Sequence, residues 1–217
     1  MAQIFPKWTN RTPPLAGLLL AVLGLSGVGF FWYFGSPYYT DVGYQPVQPV
    51  QFSHKRHAGD LGMDCRYCHS NIERSPTANI PSTQVCMNCH TTILATSPLL
   101  TAVVESWKTG VPIHWERVHK LPDYAYFNHA AHLRAGVGCS SCHGNPRQMD
   151  VVRQVQPLSM GWCLACHRNP TPHLRDTSKV SLTDTTWQPG PDQAQTAARL
   201  IAEKQLQPRE DCSTCHR

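Results

Sequence analysis

All ten cysteines of this 217-residue chain fall into five pairs of one spacing, and every pair is followed at once by a histidine. The pentapeptides are Cys65-Arg66-Tyr67-Cys68-His69, Cys86-Met87-Asn88-Cys89-His90, Cys139-Ser140-Ser141-Cys142-His143, Cys163-Leu164-Ala165-Cys166-His167 and Cys212-Ser213-Thr214-Cys215-His216. The chain's composition predicts roughly 0.025 such pentapeptides by chance, so five of them amount to a constraint. Any fold must keep each cysteine pair together with its histidine alongside.

The pattern C-x-x-C-H has the form of a covalent c-type haem site. Two thiols three positions apart can each form a thioether with one haem vinyl group, and the adjacent histidine then reaches the iron as proximal ligand. On this reading the ten cysteines attach five haem c groups, with His69, His90, His143, His167 and His216 as proximal ligands. Structural zinc or five disulfides would use the thiols but leave the five appended histidines unexplained. A thioredoxin-like motif needs a βαβ context that the surrounding sequence lacks.

Composition supports a cofactor-built interior. Only 41% of the residues are hydrophobic, 18 are proline, and much of the apolar content sits in one early run. The expected fold is a multihaem cytochrome c, mostly loops and short α-helices wrapped around five haems, with one N-terminal transmembrane helix. The formal charge of +5 implies no nucleic-acid partner, because lysine and arginine are scattered and haem propionates would offset it.

The early run is Leu15 to Ser36, LAGLLLAVLGLSGVGFFWYFGS, bounded by Pro13-Pro14 and Pro37. As a helix it would span about 33 Å, against roughly 30 Å of bilayer hydrocarbon. No small-residue cleavage pattern follows it, which favours a retained anchor over a secretory signal. Lys7 and Arg11 precede the run and no basic residue follows before Lys55, so the amino terminus should face the cytoplasm. The haem domain would then lie on the periplasmic side of the inner membrane. Trp8, Trp32, Tyr33, Tyr38 and Tyr39 suit interfacial belts, and Gly17, Ala21 and Gly24 form a small-residue stripe suited to a helix partner. The expected organisation is an anchor over 1–36, a linker over 37–51 and a pentahaem domain over 52–217.

That domain contains a repeat. FSHKRHAGDLGMDCRYCH (52–69) aligns with FNHAAHLRAGVGCSSCH (127–143) with one residue deleted, and each is followed by a proline-led motif, IPSTQVCMNCH or QPLSMGWCLACH. The repeated segments are 52–90 and 127–167; the fifth motif stands outside, after a predicted helix over Gln193–Gln205 with Asp192 as N-cap. His54 and His57 cannot both serve the iron of His69, which has one axial position left, so at least one must reach another haem. Spaced three apart on one helical turn, they can tie two haems together, and His129 and His132 repeat the arrangement. His54, His57, His129, His132, His119 and Met160 are the candidate sixth ligands, ahead of His114 and His173. Met160, three residues before a haem cysteine, would raise the potential of the haem it ligates. Saturated irons suit outer-sphere electron transfer and leave no open position for substrate, and no phosphate-binding loop or hydrolase elbow occurs.

The paired F-x-H-x-x-H before C-x-x-C-H resembles the ligand arrangement of the class III multihaem cytochromes. With the single anchor, WERVHKLPDYAYFNHAAH (115–132) and QPLSMGWCLACHRNP (156–170), nearly the whole chain more closely resembles the membrane-anchored pentahaem cytochrome c subunit of bacterial alternative complex III. That resemblance implies an electron-carrying subunit, itself not the enzyme, of a quinol:electron acceptor oxidoreductase. Its implied partners are an iron–sulfur protein, polytopic membrane subunits and a monohaem cytochrome, and its implied acceptor is a periplasmic cytochrome c, copper protein or terminal oxidase. The rival expectation is a self-sufficient, single-anchor quinol dehydrogenase feeding a periplasmic reductase. A catalytic multihaem reductase is a third class, disfavoured by the surplus of iron ligands.

Overall fold

The structure, a computed structural model, describes residues 4–216 and divides into two units, one ending at Val42 and one beginning at Gly43. Among the described residues the regular structure is entirely helical. No strand forms; two isolated antiparallel bridges, Ala125 with His216 and Val137 with Leu174, join otherwise irregular segments.

In the first unit a 3-10 turn, Lys7–Arg11, runs into the α-helix Thr12–Phe34. Pro13 and Pro14 sit in its first turn, where an amide proton has no intrahelical partner and the fixed φ of proline suits a helix start. This 23-residue helix is apolar around its whole circumference, and none of its residues is buried. At 1.5 Å per residue it is about 35 Å long, enough to cross a bilayer core of roughly 30 Å. Beyond Gly35 the ring of Tyr39 folds back edge-on to Phe34 at 4.7 Å and lies 5.9 Å from Tyr33, giving that end of the helix an aromatic cluster.

The second unit has two small apolar cores. One joins Val50, Met87 and Val103, with Trp115 and Ile113 packed against them, so that helix Thr83–His90 lies against helix Thr101–Thr109. A hydrogen bond between Thr83 Oγ1 and Ser106 Oγ (2.7 Å) pins the same contact. The other joins Leu174, Ala197 and Leu200 beneath the helix Gln193–Glu203. That helix was expected to reach Gln205, but Gln205 has φ +50, a left-handed conformation that cannot continue it. Asp192 occupies the N-cap position as expected, although its carboxylate makes no hydrogen bond to the first-turn amides.

Candidate functional site

Every C-x-x-C-H motif sits on a helical turn. Cys65–Cys68 and Cys212–Cys215 are single turns, Ser140–His143 is another, and the remaining two motifs end the helices Thr83–His90 and Met160–Arg168. Residues three apart on a helix share a face, so this placement points each cysteine pair in one direction. Short polar residues start the turns: Asp64 Oδ1 accepts from the Arg66 amide (2.9 Å) and Ser159 Oγ from the Trp162 amide (3.3 Å). None of the ten cysteines is joined to another in a disulfide, and among the described residues no three metal-binding side chains converge as a structural zinc requires.

The histidines are held by one recurring device. Nδ1 of His69 lies 2.6 Å from the Asn79 carbonyl oxygen, that of His90 2.8 Å from Ile93, and that of His167 2.7 Å from Arg209. His57, His129 and His132 do the same towards Ser53 (2.9 Å), Pro76 (2.7 Å) and Asn128 (2.8 Å). A carbonyl can only accept, so each Nδ1 carries a proton, and in the neutral ring Nε2 is the nitrogen left with a lone pair for a metal. Burial reinforces that state. It is the main cause of lowered basicity at His143 (down to about 3), His54 and His119 (each to about 4), and at His129 and His132. Neighbouring histidines add to it at each site, while the carbonyl partners of His129 and His132 oppose it. Neutral imidazole is the form that ligates iron.

Ring spacing then tests whether haem fits between them. A metal–imidazole bond of about 2 Å, with the nitrogen about 1.2 Å from the ring centre, puts two rings on opposite sides of one iron about 6.3 Å apart. His57 and His90 lie 6.2 Å apart, His132 and His167 6.1 Å, and His129 and His143 6.4 Å. Three histidine pairs therefore have the ring-centre separation that a shared iron would require. His119 lies 4.3 Å from His143, too close for the same iron, yet its Nε2 is buried without a partner, as is Nδ1 of His54. Met160 opens its helix with 64% of its surface exposed, and the His216 ring lies 5.8 Å from Tyr124. His114 lines a surface cavity of about 350 Å³ beside Pro81 and Trp115, and His173 ends the 3-10 turn Thr171–His173.

The repeat is visible as geometry. Phe52 stacks on His57 at 4.4 Å and meets His54 edge-on at 4.8 Å, and Phe127 treats His132 and His129 alike at 4.6 and 4.7 Å. The first repeat's extra residue is absorbed by a π-helical segment, Lys55–Asp60, where the second repeat has the α-helix His129–Ala135. The two repeats also grip each other reciprocally. Lys55 N donates to Met149 O (2.9 Å), and the equivalent Ala130 N donates to Ser75 O (3.3 Å). The corresponding cysteines Cys65 and Cys139 are close enough to perturb each other electrostatically, as expected near a local two-fold axis between the repeats.

These contacts string the motifs in an order unlike that of the chain. Tyr67 of the first motif accepts from Asn88 of the second (3.3 Å), and Cys65 interacts electrostatically with Cys139 of the third. His129 and His132 lie on one helix and face the third and fourth motifs. His167 and Arg168 of the fourth bond the Arg209 carbonyl and Glu210 carboxylate just before the fifth. The spatial order is two, one, three, four, five.

Asp64 ties this order to the chain's later segment. Its carboxylate caps the first motif, pairs with the Arg66 guanidinium (2.8 Å) and accepts from Thr183 Oγ1 (2.9 Å). Hydrogen bonds from Arg66 are the main cause that holds it at about 2 against an ordinary 3.8. A depressed carboxylate stabilises the fold above its ordinary range and loses that contribution as pH falls through the folded value. D64N should therefore narrow the difference from the parent as pH drops from about 4 to about 2. Denaturant unfolding followed by haem absorbance at pH 7 and pH 3 checks this; an unchanged difference refutes it.

Sequence reasoning missed the carbonyl partners of the histidines, because a backbone oxygen carries no residue signature. It also passed over Asp64, whose position directly before Cys65 was the available signal.

A sequence profile described as cytochrome c7 and related cytochrome c matches residues 50–104 and 125–217, more than half of the chain. The chain is also 36% identical over 135 residues to the menaquinone reductase, multiheme cytochrome c subunit, of Nitratidesulfovibrio vulgaris strain Hildenborough. The alignment covers 62% of this chain and 59% of that relative, so the chain spans about six-tenths of the relative's length.

Proposed function

This chain belongs to the family of cytochrome c7 and related cytochromes c, and on that premise we propose that it is a membrane-anchored pentahaem electron relay within a quinol-oxidising complex. The observation that carries the proposal is the set of three imidazole pairs with ring centres 6.1 to 6.4 Å apart. Such pairs would hold a haem iron between two imidazoles, which would favour outer-sphere transfer over substrate binding.

Haem c at the five motifs supplies reversible one-electron chemistry. The chain contributes the rest. Cys65, Cys68, Cys86, Cys89, Cys139, Cys142, Cys163, Cys166, Cys212 and Cys215 anchor the haems, with His69, His90, His143, His167 and His216 as proximal ligands. His57 stands opposite His90, His132 opposite His167 and His129 opposite His143. The repeat assigns His54 to the iron of His69, which leaves His119 and Met160 as the candidates opposite His216. Carbonyls on the Nδ1 side hold the rings in place while electrons move, which keeps reorganisation small.

The spatial order makes the second and fifth motifs the two ends of the relay. The Thr12–Phe34 helix serves as the anchor, with its basic end in the cytoplasm and the haem unit in the periplasm. Partner subunits oxidise quinol, and the relay passes electrons to a periplasmic cytochrome c, a copper protein or a terminal oxidase. The similar subunit of a menaquinone reductase supports a place in a multi-subunit membrane complex.

The test compares quinol-driven haem reduction in the isolated chain with that in the assembly that co-purifies from gently solubilised membranes. Reduction in the assembly alone is the expected result. Rapid reduction of the lone chain would make it a quinol dehydrogenase instead.

A further inference from the structure

One buried charge has no role in ligation. Arg175 is 1% exposed and belongs to an irregular segment that wraps the third motif. Its amide donates to Gly136 O (2.9 Å), and Leu182 O in the same segment accepts from Cys139 N (3.0 Å). The guanidinium lies over the Trp187 ring at 4.5 Å. Nη1 donates to the carbonyls of Asp184 (2.6 Å) and Ser181 (3.4 Å), and Nη2 to Ser140 Oγ (2.6 Å). Nε has no acceptor.

Every acceptor in that set is neutral. The Asp184 carboxylate hydrogen-bonds the Thr186 amide and hydroxyl (2.8 and 2.6 Å) and acts on the guanidinium only through space, so among the described residues no carboxylate is bonded to Arg175. Gly138, directly before Cys139, makes the arrangement possible: a Cβ there would overlap the guanidinium carbon and Nε. A full positive charge held among neutral oxygens is costly, and a purely structural role could be filled by an uncharged side chain.

We propose that Arg175 is a positioning residue that sets potential, its fixed charge raising the reduction potential of the haem carried by Cys139 and Cys142, the middle station of the relay. Reduction adds an electron to that site, and a nearby buried cation with no carboxylate bonded to it favours the reduced form. The inference rests on haem attachment at the third motif. Serine at position 140 delivers the hydroxyl that orients the fork, and Trp187 covers the cation from water.

The experiment is a spectroelectrochemical titration of the full-length holoprotein in detergent, comparing R175Q, R175K and S140D with the parent. R175Q should lower one midpoint and leave the other four in place, and R175K, which keeps the charge, should stay close to the parent. S140D sets a carboxylate against the guanidinium without removing it, so it should lower the same midpoint even if R175Q fails to assemble. Equal shifts in R175Q and R175K would mean that packing alone is at work, and unchanged midpoints in R175Q and S140D would overturn the inference outright. Mass analysis of the peptide containing Cys139 and Cys142 separates the two levels: an unmodified peptide in the parent protein overturns the haem assignment along with the inference.

Discussion

Produced without covalent haem attachment, the second unit is expected to lose its cooperative fold altogether. Its apolar cores are too small to hold it: Val50, Met87 and Val103 form one, and Leu174, Ala197 and Leu200 the other. A domain of this length ordinarily buries about 70% of the surface its unfolded chain exposes. Here large apolar side chains beside the motifs stay open, Ile93 at 59% and Leu94 at 63% exposure among them. The helices cannot compensate, because the longest in this unit, Gln193–Glu203, has 11 residues, and isolated helices below about 12–15 residues are marginal in water. The proposed haems would supply the missing interior and cross-link it to the backbone. Expression with and without the haem-attaching machinery, followed by far-ultraviolet circular dichroism and limited proteolysis, checks this. A cooperative melt of the haem-free chain would show that the polypeptide carries its own core.

What the sequence made legible follows from which interactions are local. The five motifs, the terminal apolar run and the repeated F-x-H-x-x-H depend on neighbours within a few positions, so spacing alone exposed them. The reciprocal hydrogen bonds of Lys55 with Met149 and Ala130 with Ser75 join distant segments through backbone atoms, which no residue pattern records. The deleted residue between the repeats was readable, but not its consequence, a π-helical segment in one repeat and an α-helix in the other. Arg175 was invisible for a different reason. An arginine in a loop reads as a solvated charge, and only the segment folding over Trp187 buries it.

The histidine pairs lead to the second large effect. H57A and H132A should each open one iron, the first opposite His90 and the second opposite His167, and each variant should bind about one carbon monoxide per reduced chain where the parent binds almost none. The double variant should bind about two, because the pairs lie in different repeat units and share no partner. Alanine leaves Phe52 or Phe127 without the ring it stacks on, but each repeat keeps its edge-on contact to His54 or His129, so haem retention should survive. H114A and H173A provide the control: neither ring contacts another histidine ring among the described residues, and neither variant should gain carbon monoxide binding. If H57A and H132A stayed saturated, the paired rings would reflect packing and not coordination. The same titration on H119A and Met160→Ala separates the remaining two candidates, since the side chain that completes the iron of His216 opens that site when removed, whereas the other leaves every iron closed.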